Sequence, residues 1–211
     1  MPAPIVVTRF APSPSGELHL GNARTALFNA LWAASQGGRF LLRIEDSDAA
    51  RSQEAHVAAL VADLRWLGLQ WDAPPLRQSQ RLAHYDTQLQ QLVDLGVAYP
   101  CFCAPQQLQA SREAQRAAGQ PPRYAGTCRH LSASARAARL AAGEPAALRF
   151  AVPAGQTLQW DDLVHGPRSM ASDELGDFVL RRADGSPAFF FCNAVDDAAS
   201  GVTHALRGDA H

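Results

Sequence analysis

The 211-residue sequence contains no lysine, and all 19 of its basic residues are arginine. That absence excludes a Walker-type phosphate lysine, a Schiff-base lysine and a lysine general base. Charge is scarce too: only 18% of residues are charged and the formal net charge is -1. No global basic field for DNA and no polybasic membrane patch therefore exists, and a polyanionic partner has to be held locally. No window approaches the roughly 18 consecutive apolar residues of a membrane span. Met1 to Val7 also lacks the basic n-region of an export signal, so a cytoplasmic protein without a membrane partner is expected. Four cysteines are too few for a disulfide scaffold, which fits a reducing compartment.

What is present suits a folded globular protein, since 47% hydrophobic residues suffice for a buried core. Ile5 to Phe10 is a short β-branched run that stops at Ala11-Pro12-Ser13-Pro14-Ser15-Gly16, where two prolines forbid helix and central strand. From Asn22, apolar residues recur at helical spacing until Gly37-Gly38, and Arg39 to Ile44 then reads as a second buried strand. Strand, loop, helix, glycine stop, strand is the pattern of a βαβ crossover in a parallel sheet, with ligands at the carboxyl ends of the strands. A helix capped at Ser52 and another from about Leu82 to Leu95 are expected next. The middle, roughly Ala98 to Ser172, reads as an insertion with its own small core, containing a Cys-x-Cys strand and two β-like runs, Ala147 to Val152 and Thr157 to Leu163. Phe178 to Arg181 and Phe189 to Cys192 are expected to form a hairpin around Ala183-Asp-Gly-Ser186, and Val202 to Leu206 a last strand.

Two groups of residues carry possible chemistry. In Arg9 to Asn22, a strand delivers His19 and Gly21 to a helix N-terminus, where backbone N–H groups and the helix dipole favour an anion. His19 can stabilise charge on a phosphoryl oxygen, and Gly21 leaves room for a nucleotide against the backbone; an ordinary Pro/Gly turn with a flanking histidine is the competing reading. Cys101-Phe-Cys103 and Cys128-Arg-His130 form C-x-C-x24-C-x-H, four ligands able to close a tetrahedral structural zinc site. The alternative is two buried cysteines and an unrelated loop cysteine. Phe189-Phe190-Phe191 and Cys192 are expected in the core, and Asp196-Asp197 in an acidic turn at a strand end.

RFAPSPSGELHLGN followed by RFLLRIEDSDAARS resembles the class I glutamyl-tRNA synthetases, with HLGN as their form of the HIGH signature. DLRWLGLQWD, AYPCFC, PPRYAGTCRH, DGSPAFFFCNAVDD and GVTHALRG extend the resemblance along essentially the whole chain. It implies an α/β fold, a class I synthetase Rossmann-like parallel sheet, incomplete here, with an α+β acceptor-binding insertion. The implied organisation is a first catalytic half over residues 1–97, the insertion over 98–177 and the start of the second half over 178–211. It also implies activation of glutamate with ATP and magnesium, then transfer of the glutamyl group to tRNA held by its acceptor arm. His19 and Gly21 take the catalytic positions, and Arg9, Ala11, Ser13, Glu45, Asn193 and Arg207 the glutamate-binding ones. Arginines suit the two carboxylates of glutamate and Glu45 its ammonium.

The cysteine pattern resembles the zinc-bearing insertion of part of the family, with Cys101, Cys103, Cys128 and His130 as ligands. Tyr124 competes for the fourth position, since a Tyr-x3-Cys arrangement occurs in the related enzymes that glutamylate queuosine on tRNA(Asp). Phe189 stands where the family usually has tyrosine, and Arg207-Gly-Asp-Ala-His211 where it has RGEDH. No KMSKS-type loop and no anticodon-reading domain fall within these residues. The resemblance thus implies a glutamate–tRNA ligase represented by its N-terminal part, with two alternatives: the queuosine-directed relative, and a non-catalytic acceptor-binding or zinc-binding remnant.

Overall fold

The computed structural model describes residues 5–48 and 52–208. They form two compact units, one from the described residues of Met1–Tyr85 and Cys192–His211, the other from Asp86–Phe191.

The first unit starts with β1 (Val7–Phe10), α1 (Leu20–Ser35) and β2 (Arg39–Ile44). β1 and β2 pair in parallel, with Val7 opposite Arg39 and Phe10 opposite Leu42, so the expected βαβ crossover is present. Gly38 makes the tight return possible: a Cβ there would lie 2.2 Å from the Val6 carbonyl oxygen. α2 (Glu54–Trp66) follows, capped by Gln53 rather than by the expected Ser52, with no side-chain cap bond. β3 (Leu76–Arg77) then adds to β2 in parallel, giving a sheet ordered β1-β2-β3. Phe10, Leu42 and Ile44 from the strands, Ala26 and Ala33 from α1, and Val57, Leu60 and Leu64 from α2 make the core. Small alanines on α1 let that helix approach the sheet closely.

α3 (Leu82–Asp94) carries the chain into the second unit. There β4 (Ala98–Cys101) is followed by α4 (Pro105–Ala117), α5 (Ala133–Ala141) and β5 (Ala147–Phe150), and β4 pairs antiparallel with β5. β6 (Thr157–Asp162) and β7 (Gly166–Ala171) form a separate hairpin, α6 (Ser172–Leu175) is one turn, and β8 (Val179–Arg181) completes a sheet ordered β4-β5-β8. Tyr99, Cys101, Phe102 and Cys128 are the centre of its small core.

Two expectations fail at the return to the first unit. Phe189 to Cys192 is not a strand but the first turn of α7 (Phe189–Ala199). The hairpin closes with only one bridge, Arg181 to Pro187, and the Ala188 N–H bonds to Leu180 before the helix begins. Burial follows the helix: Phe191 and Cys192 are buried as expected, whereas Phe189 and Phe190 are 38% and 69% exposed and so leave the expected core. A helical stripe was concealed because two of its buried members, Asn193 and Asp196, are polar. Val202 to Leu206 likewise forms no strand. The N–H groups of Thr203 and His204 both reach the single carbonyl of Val7, while the Val7 N–H is taken by the Thr203 hydroxyl at 2.8 Å. A side chain thus occupies the ladder position that backbone pairing would need.

Replacing Gly38 with alanine is expected to lower unfolding stability by about 1–3 kcal/mol, the usual cost of overpacking against a backbone that cannot move. Denaturant melts of the two proteins would measure it, and equal midpoints would contradict the close approach.

Candidate functional site

The carboxyl ends of β1 and β2 face the N-terminus of α1, as the crossover requires. The Pro-Ser loop is tied to the end of β2 by a 2.9 Å bond from the Glu45 N–H to the Pro12 carbonyl. His19 caps α1 with an extended backbone, and its Nδ1 accepts from the Asn22 N–H at 3.4 Å. A Cβ on Gly21 would stand 3.1 Å from the His19 ring, so this glycine gives room first to the imidazole rather than to a ligand. A hollow of about 190 Å³ lined by Ser13, Ser15, Gly16, His19 and Asn22 lies beside it. Ser13 and His19 are exposed and Ala11 is half-buried.

The interior of the site is a chain of alternating charges. Arg9, 4% exposed, donates through Nε to Asp197 Oδ1 at 3.0 Å. Arg43 donates to the same oxygen and, through Nη2, to Glu45 Oε1 at 3.0 Å. Arg43 near the end of β2 and Glu45 just past it are two residues apart, which is how both reach this cluster. Burial pushes the Glu45 carboxyl up, and Arg43, Arg207 and Arg9 only partly offset it. Burial depresses Arg9, Asp197 opposing, and the charge of Arg207 acts on both Arg9 and Glu45. Arg207 itself is exposed, and Leu206 before it is held by a 3.4 Å bond from Asn29 Nδ2. A recess of about 290 Å³ lined by Arg9, Arg43, Leu76, Ser200 and Val202 opens on the same cluster.

A second buried set lies beside the first. Asp196 is fully buried and accepts from Tyr85 Oη at 2.7 Å, Arg81 Nε at 2.8 Å and Gln78 Nε2 at 3.2 Å. Gln78 Nε2 also donates to Asn193 Oδ1 at 3.0 Å, so Asn193 is buried and oriented by an amide the sequence reading passed over. Asp196 and Asp197 are therefore not an acidic turn; on α7 they serve two different arginine sets. Asp46 accepts from the Ser79 N–H and hydroxyl and from Arg77 Nε, each at 2.8 Å. Burial would raise its pKa, but these donors outweigh it and the group lies below the ordinary carboxylate range. Asp197, Arg43 and Gln78 had one available signal: a charged or amide side chain in a segment buried on both sides must have a polar partner.

In the second unit, the Sγ atoms of Cys101, Cys103 and Cys128 all lie within 4.8 Å of one another. Tyr124 Oη stands 3.3 Å from Cys101 Sγ and 3.7 Å from Cys103 Sγ, and accepts from the Cys128 N–H at 2.8 Å. His130 is exposed and is not in this group. The turn around Gly126, with φ of +77°, sends Arg129 inward, where it donates to Asp177 Oδ1 at 2.6 Å and to the Val152 carbonyl at 3.0 Å, while the neighbouring His130 faces out. Cys103 is pushed up to about 11 by burial and by its neighbouring thiols, with Tyr124 opposing. The Ala210 and His211 readings lie outside the described residues.

Asp197→Ala would leave two buried guanidinium groups short of their shared carboxylate and is expected to cost about 3–5 kcal/mol of stability. A loss below ~1 kcal/mol in denaturant melts would show that the arginines find other partners. For Asp46, the lowered pKa means that its stabilisation is present above the unfolded value of 3.8 and lost as pH falls through the folded value. Asp46→Asn is therefore expected to cost about 2 kcal/mol near neutral pH. The gap to the parent protein should close below pH ~4, which stability curves across pH would read.

The family of class I tRNA synthetases (E and Q), catalytic domain, matches residues 5–211. The chain is 58% identical to "Glutamate–tRNA ligase 2" of Alkalilimnicola ehrlichii over 98% of its own length and 45% of that protein's. It is 53% identical to "Glutamate–tRNA ligase 1" of Halorhodospira halophila, with the same two coverages of 98% and 45%. A crystal structure of a glutamate tRNA ligase from Elizabethkingia meningosepticum in complex with its amino acid superimposes with a TM-score of 0.86 at 34% identity, covering 97% of this chain and 44% of that one. The chain thus spans a little under half the length of the curated relatives it matches. With the parallel βαβ sheet, the His19-capped helix and these likenesses together, the chain belongs to the class I tRNA synthetase family for glutamate and glutamine, within its catalytic domain.

Proposed function

We propose that this chain provides the amino-acid-recognising part of a glutamate–tRNA ligase. One observation carries the reading: the buried Arg9, Arg43 and Glu45 and the half-buried Asp197 form a charge cluster in which positive and negative members balance, with the charge of the exposed Arg207 acting on Arg9 and Glu45. A balanced cluster within electrostatic range of an additional arginine suits a ligand with one excess negative charge, which glutamate has and glutamine lacks. Arg9 and Arg207 meet its carboxylates, and Asn193 and Glu45 orient its polar groups. Ala11 and Ser13 bound the pocket through the Pro-Ser loop. ATP is the co-substrate, with magnesium on its phosphates. His19 and the α1 N-terminus stabilise charge at the α-phosphate, and Gly21 keeps the imidazole seated over the first turn. Transfer to the acceptor end of tRNA follows in the whole enzyme, a cytoplasmic step of protein synthesis.

The thiol cluster fits a structural zinc ion. Three soft donors converge within one ion's reach, and Tyr124, whose hydroxyl stands among them, is the group placed to supply the fourth. Bound there, zinc would tie β4 to the 124–130 turn. The place of Tyr124 among the cysteines also supports the second reading, a relative that glutamylates queuosine on tRNA(Asp).

The test is glutamate binding to the 211-residue chain by calorimetry, alongside glutamate-dependent ATP–pyrophosphate exchange with and without tRNA. Arg207→Ala, exposed and so harmless to the fold, is expected to weaken glutamate at least about tenfold, as loss of a charge-assisted bond does. Unchanged affinity would overturn the pocket assignment. Glutamylation of unmodified tRNA(Glu) supports the first reading, and glutamylation only of queuosine-bearing tRNA(Asp) the second.

A further inference from the structure

The second unit buries an arginine that the proposed chemistry does not use. Arg149 lies on β5, 5% exposed, directly opposite Tyr99 of β4 in the antiparallel register. Tyr99 and Cys101 share a strand face, so Cys101 is a diagonal neighbour of Arg149, within reach of a long side chain. The guanidinium carbon stands 3.9 Å from the centre of the Tyr124 ring, whose hydroxyl accepts from the Cys101 thiol at 3.3 Å. Its Nη1 donates to the Asp177 carbonyl at 2.9 Å, which pins the far end. Its Nε has no hydrogen-bond partner. A buried cation with a spare donor is costly unless negative charge is nearby; the Asp177 carboxylate is engaged by Arg129, Tyr99 and the Val152 N–H, and the three cysteines are the further groups that can carry charge.

We propose that Arg149 is the positioning residue of the cysteine cluster, holding Cys101 and Tyr124 in place for a soft divalent metal and offsetting the excess negative charge of the thiolates. This rests on the metal reading above. Three thiolates around a divalent ion leave one negative charge in a core of Tyr99, Phe102 and Cys128, where water cannot screen it. Arginine suits the task better than lysine because its plane stacks on the tyrosine while its edge donates to the Asp177 carbonyl and still offers the unpartnered Nε. The exposed Arg112, lining the same hollow of about 400 Å³, has no such position.

The experiment uses the 211-residue chain and zinc itself. Metal content and affinity are measured by competition with a chromophoric chelator, and the melting temperature is read with and without zinc for the parent, Arg149→Met, Arg149→Lys and Arg112→Ala. Arg149→Met is expected to lose about 10–100-fold in zinc affinity, the usual effect of an outer partner of a metal ligand. The zinc-induced rise in melting temperature should shrink with it, while Arg149→Lys recovers part of both and Arg112→Ala matches the parent. A purely structural arginine would lower both melting temperatures equally and leave the affinity alone, which overturns the proposal. If Arg149→Met does not fold, the cobalt(II)-substituted Arg149→Lys protein decides. A thiolate-to-cobalt band altered from the parent's supports the role, and an unaltered band with parental affinity overturns it. A parent chain that takes up no zinc removes the metal reading and this proposal together, whereas a zinc-binding parent with an indifferent Arg149 removes only the latter.

Discussion

The carboxylate of Asp197 is the constraint on which the first unit turns. It comes from α7, far along the chain, and one of its oxygens receives arginines from both β1 and β2. Without it Arg9 would carry an uncompensated charge away from water and Arg43 would keep only Glu45 as a counter-charge. The segment returning from the second unit therefore does more than cover the sheet. It neutralises the strand ends, and Glu45 completes the alternation from the other side. The outcome is a rigid polar floor in which arginine orientation is set before any ligand arrives.

The sequence made the first unit legible where apolar periodicity and turn residues agreed. β1, α1 and β2 announce themselves through β-branched runs, alanine spacing and paired glycines, and each has its expected place in the βαβ crossover. α7 was concealed for a physical reason: its first three residues are phenylalanines, which favour strands, and its buried face further on is made of Asn193 and Asp196. Polar residues satisfied by distant partners do not register as core in any pattern of hydrophobicity. The Thr203 hydroxyl, which displaces a backbone ladder bond at Val7, is a choice no periodicity could reveal.

The candidate site was legible in a similar, partial way. The cysteine spacing correctly brought three sulfur atoms together, because Cys101 ends a strand, Cys103 follows it closely and Cys128 sits in a tight turn. Motif spacing could not foresee that Arg129 would turn inward to Asp177 and leave His130 outside the group. Arg9, Glu45 and Asn193 were named from resemblance alone. Their actual setting depends on Asp197 and Gln78, residues 188 positions from Arg9 and 115 from Asn193 along the chain. Those long separations are why local reading found the members of the site but not what holds them.

One consequence follows from the adjacency of Asp196 and Asp197. Consecutive residues on a helix point about 100° apart, so α7 grips two arginine-bearing surfaces at two azimuths at once, Arg81 on one side and Arg9 with Arg43 on the other. Rotating the helix about its axis to improve one grip must loosen the other. Its angular setting is thus held by ion pairs as well as by the packing of its buried apolar side chains. Asn193 lies one turn before Asp197 on the same face, so the direction in which its amide is offered is inherited from an electrostatic lock at the opposite end of that turn.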